Sequence, residues 1–363
     1  MTIDSELNNK RLEVKNEINE GINKTPMALL FNNTGRLVQK IIRYPKPLPF
    51  IFCVVLLAAM TLLILGFNYL VIFRTAQATT KITPISAAIV VETMLLIVAA
   101  TYFNINMVLS SIRDVVVDFI MSSEDLSNLH EWLSLGWSLS VIRRVFFWWV
   151  LFISGVMTLS YLFFAQQGFL ANLLLPILLL AVLGGVSFYY APLMILLPTR
   201  LGRYHFKLYE NDPAHSEIVD NISTILNRFT YGYVFLNVVF QASFAYANLP
   251  IIAHIVFMIG FGWVPVIAQY LANQTCIRTI ISRSKRKTLN RIQAEVQSLH
   301  EGDVKKKENL EAINRLMDYH ERIRATSNSN LNMQSLGNFL NQLALPLLGF
   351  LIANIDTIID LLR

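Results

Sequence analysis

The chain has 363 residues, of which 54% are hydrophobic and 15% are charged, and its formal net charge is +6. A soluble domain carries roughly a quarter charged residues, so this composition excludes an ordinary soluble enzyme or binding domain and predicts a membrane protein. Cys53 and Cys276 are the only cysteines, which excludes a disulfide framework and a cysteine metal site.

The amino-terminal segment, residues 1–48, is polar. It begins MTIDSELNNKRLEVKNEINEG and contains neither an apolar core nor a small-residue cleavage site. This pattern does not match a signal peptide, and we expect a cytoplasmic segment here.

Seven apolar blocks follow, each close to the roughly twenty residues that cross a bilayer core as a helix. They are Pro49–Phe73, Ile85–Val108, Val145–Ala165, Leu170–Leu197, Phe229–Ala247, Leu249–Ala272 and Leu336–Ile355. The sequence therefore predicts an all-α, polytopic membrane protein with about seven transmembrane helices. Residues 49–273 would form a six-span bundle with short cytoplasmic helical insertions, and residues 336–363 would contain the last span.

The distribution of Lys and Arg tests this count, because these residues concentrate on the cytoplasmic side of membrane proteins. Eight lie in 1–48, three between spans two and three, four between spans four and five, and twelve in 274–335. These 27 residues face only three on the other side, Arg74, Lys81 and Arg363. The split predicts a cytoplasmic N-terminus, and we expect the protein in a bacterial inner membrane.

The last apolar block has two interpretations. Asp356 and Asp360 would be costly deep in lipid, but both lie beyond twenty residues of helix counted from Leu336. A span that ends with these carboxylates at the far interface satisfies this constraint. The alternative is an amphipathic helix on the inner face of the membrane.

The segment 274–335 predicts a cytoplasmic helical hairpin of the coiled-coil type. Its apolar residues follow a spacing of three and four on two helices, and Gly302 suits the end of the first helix. These residues are Leu289, Ile292, Val296 and Leu299, then Leu310, Ile313 and Met317. The first helix should continue from span six through Ser282 to His300. The two helices could pair with each other, or residues 289–325 could contact other copies or a cytoplasmic partner protein.

Two more cytoplasmic pieces have helical signals. Ser122 stands at a capping position before SEDLSNLHEWL, with Asp125 three residues later. The segment 209–229 breaks at Asn211-Asp212-Pro213 and then restarts as a helix that leads into span five. Spans two, four, five and six would thus extend below the membrane, and their ends are predicted to pack together as a base.

The basic run RSKRK lies next to the membrane in this arrangement. Arg283, Lys285, Arg286 and Lys287 are candidates to bind anionic lipid headgroups. No nucleic-acid-binding motif accompanies them, so we expect no nucleic-acid partner.

Four polar residues inside the apolar blocks are candidate site residues: Glu92, Asn237, Gln241 and His254. An intramembrane carboxylate is a functional candidate by default, and the depth of Gln241 and His254 makes them candidate partners for Glu92. Tyr233, Asn237 and Gln241 recur every four residues and share one helix face. These residues could line an ion or proton path, or they could form structural hydrogen bonds between helices.

Signatures of catalysis are missing from the sequence. HEWLS and HERIR begin like a zincin helix but lack its second histidine, and no Gly-rich phosphate loop or nucleophile elbow occurs. We therefore expect no enzyme, no catalytic residues, no metal site and no cofactor.

Two resemblances add to this interpretation. The tail HERIRATSNSNLNMQSLGNFLNQLALPLLGFLIANID resembles a pattern at the end of uncharacterised multi-pass bacterial membrane proteins. The layout of seven spans, short outer loops and long inner segments is similar to that of the insect chemoreceptor ion channels. This layout implies an oligomeric channel-like or scaffolding module with a cytoplasmic helical base. The alternative from the residues is a proton- or ion-coupled transporter that uses Glu92.

Overall fold

A computed structural model describes residues 3–42, 50–75, 84–138, 140–149, 151, 190–243, 255, 258–301, 307–326, 333–355 and 359. Helix accounts for 92% of this part of the chain, which confirms the all-α prediction. Among the same residues, β-pairing is limited to an isolated antiparallel bridge between Ile120 and Phe206.

Eleven helices organise the described residues. They are α1 (Ile3–Lys24), α2 (Pro26–Ile42), α3 (Phe50–Thr75), α4 (Pro84–Ser111), α5 (Val117–Phe119), α6 (Ser123–Gly136), α7 (Tyr190–Leu201), α8 (Glu217–Ser243), α9 (Val264–Glu301), α10 (Lys307–Ala325) and α11 (Met333–Ala353). Two π-helical turns, Ile112–Val116 and Met258–Trp263, precede α5 and α9, and residues 140–149 are also helical.

Apolar composition singles out three helical stretches. Val91–Phe119 is long and apolar enough to cross a membrane, and Phe50–Gly66 and Gly337–Ile352 are shorter apolar helices in the described part of the chain. The predicted third span lies almost entirely outside the described residues, and so does most of the fourth. Described residues of the other five predicted blocks are helical, on α3, α4, α8 and α11 and, for the sixth block, on the second π turn and α9.

One hydrophobic core contains buried residues from the helices that were predicted to form the base. Val14 and Ile18 of α1 are fully buried, and they belong to the same cluster as Leu126 and Leu129 of α6 and Ile222 of α8. Ser122 caps α6 by accepting a hydrogen bond from the Asp125 N–H at 3.4 Å, as the sequence predicted. Residues of α1, α4, α6, α7, α8 and α9 share this core, so these helices come together here, while the placement of this region in the cytoplasm stays a prediction.

The irregular connection 202–216, which we name the strap, fastens this base. Its backbone pairs with the end of α5: Met121 N–H donates to His205 O at 3.0 Å, and Lys207 N–H donates to Phe119 O at 2.9 Å. The Asp125 carboxylate accepts from the His205 backbone N–H at 2.8 Å and contacts its ring Nδ1 at 2.9 Å. The strap ends at the predicted break, and α8 begins at Glu217.

Helix α9 has 38 residues and runs unbroken to Glu301, so the predicted continuation of span six to His300 is confirmed. A helix of this size is about 57 Å long. It packs against α10, which forms the second half of the hairpin. Ile292 is buried, as its place in the α9 seam predicts.

The predicted seam on the second helix is only partly buried. Leu310 and Met317 of α10 are 47% and 44% exposed, whereas Ile323 is fully buried. On α10, Ile313 and Leu316 are half-buried and Ile323 is fully buried, so the buried face differs from the one that carries Leu310 and Met317.

Helix α8 is the centre of the apolar bundle. It packs against α4, α9 and α11, so its polar positions must fit between these neighbours. Asn104 of α4 lies against Gly232, which brings the two helices close together.

Candidate functional site

The candidate site is a group of neutral polar side chains between α8, α9 and α11, which we name the polar seam. Each member is less than a tenth exposed, although the helices around it are apolar. The members are Thr230, Asn237 and Gln241 of α8, Gln269 and Asn273 of α9, and Gln342 of α11. Buried polar groups of this kind are costly unless they are hydrogen-bonded.

Hydrogen bonds around Thr230, which we call the lower end of the polar seam, connect α8 to α9. Gln269 Nε2 donates to Asn273 Oδ1 at 3.1 Å, and Asn273 Nδ2 donates to Thr230 Oγ1 at 3.4 Å. The Thr230 hydroxyl in turn donates to Leu226 O at 3.0 Å. This chain of bonds fixes the register of the two helices.

The upper end of the polar seam is built around Gln241, which is 3% exposed. Its Nε2 donates to Asn237 Oδ1, one turn earlier on α8. Its Oε1 is buried and has no hydrogen-bond partner among the described residues. Within the described part of the chain, this acceptor has no donor.

Backbone rather than side chains closes the upper end. A Cβ added at Gly262, in the second π turn, would lie 3.3 Å from Asn237 Oδ1 and 3.0 Å from Pro346 Cβ. A Cβ added at Gly349 would lie 3.1 Å from the Val238 Cα. A side chain at either position would make contacts tighter than ordinary van der Waals distances, so the neighbouring residues would have to shift by a few tenths of an ångström.

Helix α11 is also held by two longer contacts. Trp263 Nε1 donates to Leu343 O at 3.0 Å, and Tyr231 OH donates to Asn338 O at 3.3 Å. Tyr270 stacks on Phe339 with ring centroids 4.0 Å apart. The polar seam therefore follows α8 from Thr230 to Gln241, about 16 Å at 1.5 Å per residue.

The structure places Glu92 away from the polar seam. It is half-buried and accepts a hydrogen bond from the Thr61 hydroxyl of α3. The expected partnership with Gln241 is wrong: the contact of Gln241 is Asn237. His254, the other candidate partner, lies outside the described residues. Helix α4 packs against α3 on one side and against α8 on another. The depth of Glu92 along its predicted span therefore did not identify its hydrogen-bond partner.

Sequence reasoning found Asn237 and Gln241 but missed four members of the polar seam and the partner of Glu92. Gln269 and Asn273 are four residues apart on α9, as Asn237 and Gln241 are on α8, and that shared spacing was the available signal. Gln342 follows Asn338 by four residues on α11, so the same spacing was available there too. Tyr233, which shares the sequence face of Asn237, is half-buried.

The basic run divides into two groups. Lys285 is 6% exposed, and its Nζ donates to Arg324 O at 2.9 Å and to Thr326 O at 2.7 Å, at the carboxyl end of α10. Burial lowers the pKa of this ammonium group below its usual range. The prediction that Lys285 binds a lipid headgroup is therefore wrong, because its donors are used on the last carbonyls of α10.

The other basic residues remain on the surface. Arg283 Nη1 donates to Arg203 O in the strap at 2.6 Å, while Arg286 and Lys287 are exposed. Further along α9, Arg291 forms a bidentate ion pair with Glu210 of the strap. Its Nη1 donates to Glu210 Oε1 at 3.0 Å and its Nη2 donates to Oε2 at 2.6 Å. This guanidinium lowers the pKa of Glu210. Within the basic run, Arg286 and Lys287 therefore remain the candidates to bind a lipid headgroup.

Among the described residues, no group of three His, Cys, Asp or Glu side chains could hold a metal ion. Comparisons of the chain with protein-family models, with curated proteins and with solved structures return no match.

Lys285→Ala should destabilise the folded protein by about 2 kcal/mol, because it removes charged donors from two carbonyls at the end of α10. Lys287→Ala is the matched control, and we expect a change within about 0.5 kcal/mol for this exposed neighbour. Thermal unfolding of the purified variants measures both. Equal stability of the two variants would contradict the capping role of Lys285.

Proposed function

We propose that this chain is a non-enzymatic, multi-pass protein of a bacterial inner membrane that forms an oligomeric channel-like or scaffolding module. In this proposal the seven apolar blocks span the membrane and the N-terminus is cytoplasmic. The strap, α1, α6 and the hairpin of α9 and α10 form a cytoplasmic helical base. The polar seam, which carries no charged side chain, is the observation that supports a channel-like activity best.

The outward faces of the apolar helices support a lipid environment. Large apolar side chains on α3, α4, α8 and α11 are exposed, including Ile51, Leu63, Phe103, Phe235 and Leu340. Each would cost about 25 cal/mol for every Å² that it shows to water, and little in lipid. Helix α8 has an exposed apolar face and a buried polar face: Phe235 is 64% exposed, and Asn237 is buried in the polar seam.

The length of α9 agrees with a helix that serves both the membrane and the base. Of its 38 residues, only Val264–Ala272 belong to predicted span six, so the other 29, about 44 Å of helix, extend beyond that span on the side assigned to the cytoplasm. Arg286 and Lys287 lie in this extension and stay candidates for anionic headgroups, which attract basic side chains.

An oligomer is supported by the exposed apolar residues of the base. Leu310 and Met317 lie seven residues apart on α10, a spacing typical of helices that pack along a shared seam. In this proposal, residues 289–325 contact other copies of the chain or a cytoplasmic protein partner. No nucleic-acid partner belongs to the proposal.

The orientation predicts how single cysteines react in intact cells. With Cys53 and Cys276 replaced by alanine, a cysteine at Lys81 should react with a membrane-impermeant maleimide added outside, and one at Lys305 should react only after lysis. The reason is that 27 of 30 basic residues fall on the side assigned to the cytoplasm. Labelling at position 305 in intact cells would overturn the topology.

A conducting polar seam predicts a loss of ion flux in Asn237→Leu. The leucine replaces an amide with an apolar group, and we expect Rb⁺ flux in liposomes to fall by at least about tenfold, or about 1.4 kcal/mol at the barrier. Phe235→Leu, on the outward face of the same helix, is the matched control and should conduct like the wild type.

Two outcomes would separate the parts of this proposal. If Asn237→Leu conducts as well as the wild type, the polar seam serves helix packing alone. If light scattering on the same preparation gives a strict monomer, the oligomeric part is wrong. A wild type without flux but with several chains per particle would leave the scaffolding function.

The second candidate is a proton- or ion-coupled transporter that uses Glu92. The observation in its favour is a half-buried carboxylate between α3 and α4 whose contact is the neutral hydroxyl of Thr61. Such a carboxylate can accept a proton or a cation during transport.

Glu92→Gln tests this candidate because the amide keeps the volume of the side chain and its hydrogen bond with Thr61. A coupled transporter should lose substrate-driven proton uptake, by about tenfold or more. Thr61→Val is the control for loss of the hydrogen bond alone. Unchanged flux in Glu92→Gln would show that the carboxylate is structural.

A further inference from the structure

The chain approaches the third predicted span through a helix at residues 140–149, which we name the aromatic helix. This helix follows the buried Trp137, and Ser138 caps its start. The Ser138 carbonyl accepts hydrogen bonds from the N–H groups of Val141 and Ile142, both at 3.1 Å. The Ser138 hydroxyl also accepts from the Val141 N–H, at 3.4 Å. A serine that satisfies these N–H groups fixes the residue at which the helix begins.

The hydrophobic core fixes the rotation of the aromatic helix about its axis. Four of its side chains are half-buried and pack against that core: Val141, Ile142, Val145 and Phe146. Side chains three or four residues apart share one face of a helix, so the positions between these four lie on the opposite side. We name that side the outward face.

The outward face changes in chemical character along its length. Arg143 and Arg144 are exposed near the start of the helix, and Phe147 and Trp148, one turn later, are each 61% exposed. The two rings are in T-shaped contact, with centroids 5.9 Å apart. Leu151, another turn further, is helical and 50% exposed. One turn rises about 6 Å, so charge, aromatic rings and an aliphatic chain succeed each other at this interval.

The two guanidinium groups are available for an anion. Neither Arg143 nor Arg144 forms an ion pair within the described part of the chain, whereas Lys15 and Arg291 pair with carboxylates. Long side chains on a helix lean back toward its N-terminus, so these guanidinium groups lie on the side away from the rings. A partner for the outward face must therefore carry negative charge at one end and apolar groups at the other.

An anionic phospholipid has this order of groups. Its phosphate attracts basic side chains at the membrane surface. The region below the phosphate is where tryptophan and other amphipathic rings concentrate, and the acyl chains follow. A soluble anion would engage the arginines alone and would leave the exposed rings and Leu151 in water. The lipid therefore accounts for all three levels of the outward face.

We infer that the outward face of the aromatic helix binds an anionic phospholipid. Arg143 and Arg144 contact the headgroup, Phe147 and Trp148 contact the glycerol region, and Leu151 contacts an acyl chain. This inference rests on the membrane placement in the proposed function and names a lipid class as a partner. It is separate from the candidates Arg286 and Lys287, which lie on α9.

Native mass spectrometry of the purified full-length protein, released from detergent, tests the site. The protein is titrated with phosphatidylglycerol, which is anionic, or with phosphatidylethanolamine, which is zwitterionic, both with the same acyl chains. The wild type should bind phosphatidylglycerol about tenfold or more tightly, since each basic residue near an anionic surface contributes about fivefold. In Arg143→Gln/Arg144→Gln the two lipids should bind within about twofold of each other.

Three further variants separate charge from ring contacts and from folding. Lys10→Gln/Lys24→Gln removes the same net charge from α1, where each lysine pairs with a glutamate, and should keep the wild-type preference. Arg143→Lys/Arg144→Lys keeps the charge and should keep the preference, which maintains the test if the glutamine variant does not fold. Phe147→Ala/Trp148→Ala should weaken both lipids by a similar factor, because the rings do not distinguish headgroup charge.

The inference is overturned by a wild type without preference for phosphatidylglycerol, or by a preference that survives in Arg143→Gln/Arg144→Gln. Loss of the preference in the lysine variant would overturn the role of charge. Cysteine labelling as expected at positions 81 and 305, without a lipid preference, would remove this site and leave the proposed topology. A lipid preference that depends on Arg143 and Arg144, with labelling at position 305 in intact cells, would leave the site and remove the orientation.

Discussion

Neutral polar side chains between apolar helices must find their hydrogen bonds inside the protein, since neither lipid nor a packed core supplies them. In this chain that requirement falls on α8. Thr230 meets Asn273 of α9 at one end, and Gln241 meets Asn237 at the other. The Thr230–Asn273 contact relates the rotation of α9 to that of α8, whereas the Gln241–Asn237 contact lies within α8.

The same requirement organises the base. The strap has little regular structure, yet its backbone bonds to the end of α5, its His205 bonds to Asp125, and its Glu210 pairs with Arg291. Lys285 serves the last carbonyls of α10. Helix α9 belongs to both regions, with Gln269 in the polar seam and Lys285 in the base. A displacement of the hairpin would therefore be carried along one continuous helix to the polar seam.

Charge separates the two proposed functions. The polar seam contains amides and a hydroxyl, whose dipoles can compensate a passing or bound monovalent ion without changing their own protonation. Glu92 can change its charge, but it lies on the other side of α4 with Thr61. Coupling through Glu92 and conduction through the polar seam would use different helix interfaces, so substitutions in one interface leave the other in place.

The sequence by itself determined the helical class, the base and two of the polar positions. Helical periodicity and capping are local, and they placed the start of α6 at Ser122 and the run of α9 to its end. A spacing of four put Asn237 and Gln241 on one face. Tertiary structure decided which helix faces meet. It paired Glu92 with Thr61 and placed Gln269, Asn273 and Gln342 in the polar seam with α8. It also buried Lys285 against the end of α10. Those partners come from helices distant in the chain, and their pairing depends on the rotation of each helix about its axis, which the composition of a single helix does not specify.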